Sequence, residues 1–403
     1  MKYKILPALA ISALLLSSET NAQKNTAFAV TGQAKGNFTW NVIREIDLTT
    51  GEVLRTVYDP ATNKNIHFKA VGGAALKENI KRSATGNGVA AAAYDALHNR
   101  LYFTNMRGND LLYFDLASNE TNVVVNNDPS FNTGNKFDEG NVITRMAFAS
   151  DGFGYAITND GKSLVRFTTD QKPTVSNLGE LIDGKKNGTM SIHSQCSSWG
   201  GDMVGDSYGN LYLVTYRNHL FKINPQTRIT DYLGQVKGLP AEFTSNGMVV
   251  NDEGEVIVTS ATISDNYYKI NISTLDASAV KKKDDKVYNA SDLANSNLLY
   301  QNKEITNKFL VGEVKGNQMV SFFPNPAINK TFNVQFDKVP AGRYNLALSD
   351  PSGRTVLSRA LNVAVKGQVE RISLPRISGS GMYLVKLTGG DTKVIYSDKI
   401  VIP

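Results

Sequence analysis

Cysteine is almost absent from this sequence: Cys196 is the only one among 403 residues. One sulfur cannot build an intramolecular disulfide framework or a zinc site of several thiolates, so both are excluded. The chain has only 4 His, which argues against a His-rich metal site. After the N-terminal segment, no apolar run approaches the roughly 18 to 20 residues of a membrane span. We expect Cys196 to be buried as a small hydrophobic side chain.

The larger part of the chain also lacks an excess of positive or negative charge. The net charge is +6, but residues 319–403 hold 11 basic and 5 acidic residues, whereas residues 23–318 hold 30 and 31. The larger part therefore has no basic stripe that could follow a phosphate backbone. The sequence predicts no nucleic-acid partner.

The first 22 residues have the pattern of a signal peptide. Lys2 and Lys4 form a basic start, residues 5–16 are apolar, and Thr20, Asn21 and Ala22 are small residues at the positions before cleavage. We expect cleavage after Ala22. The mature protein is then expected to be exported and soluble.

Four stretches of the chain repeat one phrase: an apolar strand, a turn with Asp, and two further strands with Tyr or β-branched residues. The turns contain Asp95, Asp151, Asp206 and Asp252, separated by 56, 55 and 46 residues. This spacing fits one four-stranded blade per repeat and predicts a β-propeller over residues 23–305. In the turn at 206–210, Asp206 is expected to cap the turn and Gly209 to take a positive φ.

The fold class predicted is all-β: a propeller of about six blades, five of them visible in the sequence, followed by a small C-terminal β-sandwich. A ring of blades must close to remove its free edges, and residues 298–300 (Leu-Leu-Tyr) are the candidate closing strand. The phrase that begins at Asp206 and continues through Gly209, Asn210, Leu211 and Tyr212 resembles the blades of NHL-like and gluconolactonase-like propellers.

Residues just before each innermost strand should converge at one mouth of the central tunnel. These are Asn87, Arg145, Asp202 and Asn246. Amides around one Arg and one Asp could hold a polar ligand or, with further carboxylates, a divalent ion such as calcium. The alternative is that these side chains cap strand ends. We predict no resident cofactor, no metal ligand and no catalytic residue.

The C-terminal part contains a series of motifs in a fixed order. Pro324, Asn325 and Pro326 open it, Gly342 and Tyr344 begin one strand, an Asp350–Arg354 turn follows, and a second Gly-x-Tyr strand precedes a terminal Lys. The alternation of apolar and polar residues in 344–348 and 382–387 has a period of two, as in half-buried strands of a sandwich. Residues 306–318 form a polar linker before this domain at 319–403.

These motifs closely resemble the type A C-terminal sorting domain of the type IX (Por) secretion system of Bacteroidetes. The resemblance implies export to the periplasm, then passage through an outer-membrane translocon, removal of the domain by a sorting peptidase, and attachment to an anionic surface lipopolysaccharide. The protein would then be secreted or held on the outer cell surface. The residues to which the resemblance gives recognition roles are Pro324, Asn325, Pro326, Gly381, Tyr383 and Lys399; a buried strand tyrosine would look the same as Tyr383.

Two hypotheses for the propeller remain open. The chain has no Gly-x-Ser-x-Gly, His-Glu-x-x-His, phosphate-loop or Rossmann pattern, which favours a module that binds a glycan, a peptide or a partner protein. The alternative is a metal-dependent, lactonase-like hydrolase or lyase with its site around Asp202 at the tunnel mouth. A metal centre of that kind would bring several carboxylate or Asn oxygens to within about 2.6 Å of one ion.

Overall fold

The computed structural model describes sixteen segments of the chain. They are residues 25–63, 66–70, 83–108, 110–117, 121–126, 128–131, 133–169, 173–280, 286–300, 320–328, 331–336, 339–350, 354–364, 368–374, 381–389 and 394–402. The signal peptide predicted at 1–22 and the linker predicted at 306–318 lie outside them.

Five antiparallel blades form the larger unit. Blade 1 contains β1 (Thr26–Thr31), β2 (Val42–Asp47), β3 (Val53–Tyr58) and β22 (Asp292–Ala294). Blade 2 contains β4 (Ile66–Ala70), β5 (Val89–Asp95), β6 (Arg100–Asn105), β7 (Leu111–Asp115) and β8 (Thr121–Asn126). Blade 3 contains β9 (Ile143–Phe148), β10 (Gly154–Thr158), β11 (Leu164–Phe167) and β12 (Val175–Gly179).

Blades 4 and 5 complete the ring. Blade 4 contains β13 (Ile182–Asp183), β14 (Asp202–Gly205), β15 (Leu211–Val214), β16 (His219–Ile223) and β17 (Ile229–Gln235). Blade 5 contains β18 (Ser245–Val250), β19 (Val256–Ser260), β20 (Tyr268–Ile270) and β21 (Ala277–Ala279). Short helices at Pro129–Phe131 and Glu139–Asn141 lie in the connection from blade 2 to blade 3, and one at Gln195–Ser198 lies between β13 and β14 of blade 4.

The innermost strands, β22, β5, β9, β14 and β18, each contact the next around the ring, and β18 contacts β22. The described residues therefore close a ring of five blades, and the expected sixth blade is not among them. The additional chain length is used differently: β4 and β13 are added to the outer edges of blades 2 and 4 as parallel fifth strands. These additions lengthen the repeat without adding a blade.

The closing strand differs from the expected one. The innermost strand of blade 1 is β22, which pairs with β1 through Phe28 and Ala294. The predicted strand at 298–300 is wrong: Leu299 instead forms a parallel bridge with Asp206 of blade 4. The three residues of β22 already complete blade 1. The chain after them, residues 295–298, borders the tunnel and leads to blade 4.

The turns between first and second strands have the predicted chemistry. Asp206 Oδ1 accepts hydrogen bonds from the backbone N–H groups of Tyr208 (2.8 Å) and Asn210 (2.7 Å), and Gly209 has a φ of 81°. In blade 5 the same role belongs to Asn251, one residue before the expected Asp252: its Oδ1 accepts from the N–H of Glu255 at 2.8 Å. The turn needs an acceptor with a short side chain, and Asn serves as well as Asp.

The C-terminal unit is a small β-sandwich. Its first sheet contains β23 (Ser321–Ile328), β24 (Thr331–Phe336) and β27 (Gln368–Ser373), and its second contains β25 (Gly342–Ser349), β26 (Thr355–Val363), β28 (Gly381–Thr388) and β29 (Val394–Ile402). Phe332 and Val334 from the first sheet share one core with Leu346 and Val385 from the second. Burial on alternate positions, as predicted for residues 344–348, produces this arrangement.

Candidate functional site

The propeller has two faces, and we call the one at which the innermost strands begin the upper face. Between them the central tunnel is narrow: a cavity of about 30 Å³ is lined by Met146, Met203 and Met248 with neighbouring inner-strand residues. That is room for about one or two water molecules. At the lower end, residues 295–298 border the same cavity. Asn297 Nδ2 donates to Val250 O at 2.9 Å and holds this segment in place.

Arg145, predicted at the tunnel mouth, is fully enclosed. Its guanidinium donates to the backbone carbonyls of Gly200 (2.9 Å), Thr158 (3.0 Å) and Asn159 (3.3 Å), and also to that of Ser198. Burial lowers its pKa to about 9, against the opposing charges of Asp160 and Asp202. Arg145 therefore joins blade 3 to the segment that leads into blade 4.

Asp202 is also completely buried, and its carboxylate serves the inner strands of three blades. Oδ1 accepts from the N–H of Met203 at 2.7 Å, and Oδ2 accepts from the N–H groups of Met248 (2.7 Å) and Leu293 (3.3 Å). Burial raises the pKa of the Asp202 carboxyl well above its ordinary value, although these N–H donors and Arg145 act in the opposite direction.

Sequence reasoning missed a second buried acid, Asp292. Its Oδ1 accepts from the N–H of Ala92 at 3.1 Å, whereas its Oδ2 has no hydrogen-bond partner among the described residues. Burial and the nearby charge of Asp202 raise the pKa of Asp292 well above the ordinary range. A signal was present: Asp292-Leu293-Ala294 repeats the acid, apolar, apolar order of Asp202-Met203-Val204.

The two predicted amides have different surroundings. Asn246 Oδ1 accepts from Thr244 Oγ1 at 2.7 Å and from the N–H of Ala261 at 3.1 Å, so it joins two connections of blade 5. Asn87 is exposed in the turn before β5. Three of the four predicted mouth residues thus direct their polar atoms at the protein's own backbone or side chains, as the strand-capping alternative expects.

Large exposed side chains occur instead around the rim of the upper face. Phe38 is 61% exposed in the β1–β2 loop, and Phe137 is 80% exposed in the connection from blade 2 to blade 3. Arg107, in the β6–β7 loop, is exposed, and its Cζ lies 5.7 Å from the centroid of the Phe137 ring. Single exposed apolar side chains are common on protein surfaces, whereas several that form one continuous patch mark an interaction surface.

These side chains lie along a connected run of contacts. Phe38 packs edge to face on Trp40 with ring centroids 5.8 Å apart, and Trp40 O accepts from the N–H of Val89, the residue that follows Asn87 and Gly88. Gly88 O in turn accepts from the N–H of Met106, beside Arg107. We call Phe38, Asn87, Met106, Arg107 and Phe137 the upper-face patch.

The backbone at this patch adopts a conformation that bulky residues rarely take. Trp40 and Arg107 have φ values of 50° and 57°. In blades 3 and 4, the loop after the second strand has its positive φ at Gly161 (69°) and Asn218 (65°), residue types that tolerate the left-handed region. In blade 2 the corresponding loop has its positive φ at Arg107. A strained backbone of this kind is often kept where a side chain is used.

The segment with the chain's only Cys holds its His side chain in contacts with the backbone. Cys196 is exposed, so the expectation of burial is wrong: it lies on the short helix Gln195–Ser198, which turns one side to solvent. His193 lies with Nδ1 2.6 Å from Asp160 O and Nε2 3.1 Å from Leu181 O, which occupies both ring nitrogens. Its role in this segment is to hold loops together.

Among the residues described, no three His, Cys, Asp or Glu side chains are placed so that they could hold one metal ion. No helix in the described segments is long and apolar enough to cross a membrane.

In the sandwich, the residues predicted for recognition are spread over three strands. Pro324, Asn325 and Pro326 lie in β23, where its register against β24 shifts. Gly381 pairs with Ile402, and Leu384 pairs with Lys399, on the last two strands. Tyr383 is buried in the core. The side chains of Pro324, Asn325, Pro326 and Lys399 lie outside the described residues.

Solved structures of similar fold include several propeller proteins. PorZ, an essential bacterial surface component of the type IX secretion system of Porphyromonas gingivalis, is 12% identical with a TM-score of 0.34; the match covers 93% of this chain and 51% of PorZ. Virginiamycin B lyase from Staphylococcus aureus is 11% identical with a TM-score of 0.34, covering 95% of this chain and 97% of the lyase. At these TM-scores the similarities carry no argument about activity.

A third similar structure is a protein of unknown function from Bacteroides thetaiotaomicron, 16% identical with a TM-score of 0.39, covering 68% of each chain. No sequence among the curated proteins matches the chain. Residues 321–403 match the secretion system C-terminal sorting domain. This domain follows the propeller, and it marks the protein as an export product of the type IX (Por) secretion system, released or displayed at the cell surface.

Proposed function

We propose that this protein is an exported propeller that binds a ligand with its upper face. The observation that carries the proposal is the upper-face patch, where Phe38 and Phe137 expose 61% and 80% of their surface at the two ends of one run of contacts. Large aromatic side chains, left in water next to an Arg, are typical of the centre of a binding surface. The glycan, peptide or partner protein expected from the sequence would bind there.

The tunnel offers less support for a ligand. Asp202 gives its two oxygens to three backbone N–H groups, and Arg145 gives its guanidinium to four carbonyls. A ligand or ion at Asp202 would have to replace bonds that hold the inner strands together. No observation therefore favours the lactonase-like hydrolase over a binding module.

The export steps follow from the sorting domain as part of the same proposal. A signal peptide at 1–22 delivers the chain to the periplasm, and the translocon and its sorting peptidase then recognise the C-terminal domain. Its recognition elements are the Pro324–Pro326 opening, the strand with Gly381 and Tyr383, and Lys399. An anionic lipopolysaccharide serves as the surface anchor after processing.

A binding screen tests the proposed function. Protein purified from the secreting cells is applied to immobilised neutral and charged polysaccharides and to peptides, together with the double variant Phe38→Ala/Phe137→Ala. We expect at least one ligand to be held, and the double variant to lose about tenfold or more in affinity, because truncated hot-spot aromatics usually cost more than about 1 kcal/mol each.

The matched control is Leu97→Ala. Leu97 is 78% exposed, like Phe137, but lies in the β5–β6 turn on the lower face. Equal binding by the wild type and the double variant would contradict the proposal. Turnover of a lactone or ester by the wild-type protein would contradict it as well.

A further inference from the structure

The lower face of the propeller carries an excess of acidic side chains. It is formed by the turns between the first and second strands and between the third and fourth strands of the blades. In the described part of these turns, with the two strand residues on either side, ten acidic residues occur: Asp47, Glu52, Asp95, Asp115, Asp151, Asp206, Asp252, Glu253, Glu255 and Asp276. The same segments contain five basic residues: Arg100, Arg166, Lys222, Arg228 and Lys269. The bases therefore neutralise only part of the negative charge.

The C-terminal sandwich has the opposite charge and is attached at this face. Residues 319–403 hold 11 basic and 5 acidic residues. After β22 the chain borders the lower end of the tunnel and reaches Tyr300, and the first strand of the sandwich begins at Ser321. A chain of about 20 residues spans roughly 25 Å on average, which corresponds to a millimolar effective concentration of the attached domain. The tether thus keeps a basic domain next to an acidic surface.

Exposed aromatic side chains lie beside the attachment point. Tyr208 is 48% exposed and Tyr300 is 44% exposed, and their ring centroids are 6.0 Å apart. Tyr208 is in the β14–β15 turn of blade 4, two residues after its capping Asp206, and Phe153 has the same place in the β9–β10 turn of blade 3. An apolar centre within a charged surround is typical of a protein–protein interface.

One basic residue of the sandwich acts on this surface. Arg371 is an exposed residue of β27, and its neighbour Ile372 is buried, so Arg371 lies on the solvent-facing side of the first sheet. Burial raises the pKa of Asp151 in the blade 3 turn, whereas the charges of Arg166 and Arg371 act in the opposite direction. No carboxylate in the described part of the sandwich forms an ion pair with Arg371; its neighbour Glu370 is paired with Arg359 at 3.8 Å.

We infer that, before processing, the C-terminal sandwich docks on the lower face of the propeller, with the solvent-facing side of its first sheet over the turns of blades 3 and 4. Opposite charges favour the approach, and the rings of Tyr208 and Tyr300 supply apolar area to the contact. Removal of the sandwich then uncovers the lower face only after export. The upper-face patch lies on the opposite side, so the inference stands or falls independently of the proposed function.

Small-angle X-ray scattering of the precursor, residues 23–403, tests the docking. The radius of gyration is measured at about 0.05 M and about 0.5 M NaCl, because salt screens attraction between charged surfaces. Arg371→Glu reverses the charge on the first sheet. Arg343→Glu is the matched control, since Arg343 is likewise exposed but lies on β25 of the second sheet, next to the buried Tyr344.

We expect the wild type and Arg343→Glu to be compact at low salt and to expand by about 3 Å in radius of gyration at high salt, as a released domain does. Arg371→Glu should have the larger radius at both salt concentrations. Tyr208→Ser tests the same contact from the propeller and should expand at lower salt than the wild type. Its control is Ile182→Ser, a side chain of similar exposure (45%) on the outer edge of blade 4.

Four results would overturn the inference. A large radius at both salt concentrations in the wild type would show two separate units on a tether. A compact form that survives in every variant would place the contact on another surface, and equal expansion of Arg343→Glu and Arg371→Glu would remove the first sheet from it. A radius that grows with protein concentration at low salt would show docking onto a second molecule instead.

Discussion

Arg145, Asp202 and Asp292 occupy equivalent places on the inner strands of blades 3, 4 and 1, and all three are fully buried. Arg145 stays charged at neutral pH, since its lowered pKa is still about 9. Two ionised acids beside one buried cation would leave an uncompensated negative charge, which is costly away from water. Burial raises the pKa of both carboxyls well above the ordinary value, and the charge of Asp202 raises that of Asp292 further, so protonation of the pair is favoured over ionisation of both acids.

This pair makes the stability of the propeller depend on pH. In the unfolded chain an Asp loses its proton near pH 4, whereas the folded pair holds one at higher pH. The stabilisation is therefore complete below pH 4 and is lost as the pH rises through the raised pKa. We expect Asp292→Asn, which imitates the protonated acid, to flatten the pH dependence of the melting temperature and to gain about 1–3 kcal/mol at pH 8.

The measurement is thermal unfolding of the wild type and the variant from pH 5 to pH 8. Asp276→Asn removes an exposed carboxyl of blade 5 and is the matched control. A parallel pH profile for wild type and Asp292→Asn would show that the buried pair does not hold a proton.

At the scale of strands and turns, the sequence predicted those elements that have a recognisable local pattern of apolar and turn residues. The blades were recognisable because apolar strands such as Leu211–Val214 follow a turn with its own capping acceptor, here Asp206. The closing strand Asp292–Ala294 was not, because three residues contain no alternation and their partner lies at the other end of the propeller. The surroundings of Arg145 were also beyond prediction, since they depend on how the connection at 198–200 folds over blade 3.

The junction between blade 5 and the closing strand is tightly packed at Gly247. A Cβ at this position would lie 2.7 Å from Leu293 Cγ and 3.0 Å from the Leu293 backbone nitrogen. Because backbone on a neighbouring blade cannot move aside cheaply, we expect Gly247→Ala to destabilise the propeller by about 1–3 kcal/mol. Chemical denaturation of the purified protein measures the change.

Gly342→Ala, at the start of β25 in the sandwich, is the comparison variant. A Cβ there would lie 3.7 Å from the nearest atoms of the Tyr344 ring, an ordinary contact. A loss of stability in Gly342→Ala as large as in Gly247→Ala would mean that the ring junction is not specially tight.

On the scale of the whole molecule, a propeller with balanced charge precedes a basic sandwich that is the sorting domain for export. The sorting domain was predictable because its motifs lie in order within one stretch of chain, and residues 321–403 match the family. The proposed ligand surface was not, because its residues come from four separate connections of the propeller and are distinguished only by their exposure in the structure. The four residues predicted at the tunnel mouth share a face with the patch, and Asn87 belongs to both.

Removal of residues 319–403 should leave a propeller that still folds, because each of its interblade cores lies within residues 25–300. Without the sorting domain we expect this shortened protein to accumulate in the periplasm. Cell fractionation and protease sensitivity of the retained protein provide the readout. Wild-type amounts of the shortened protein at the cell surface would contradict the role assigned to the domain.

The segment after the closing strand has a mechanical consequence. A pull on the chain beyond Tyr300 first reaches Tyr300, whose carbonyl accepts from Ser207 Oγ at 3.1 Å. It then reaches Leu299, whose N–H donates to Gly205 O and whose carbonyl accepts from the N–H of Ser207. The next points of resistance are the Asn297 and Asn295 side chains, both bonded to Val250 O. The force is therefore transmitted to blades 4 and 5 before it reaches β22. A force applied through the sorting domain during transit would thus not act first on the three-residue strand that closes the ring.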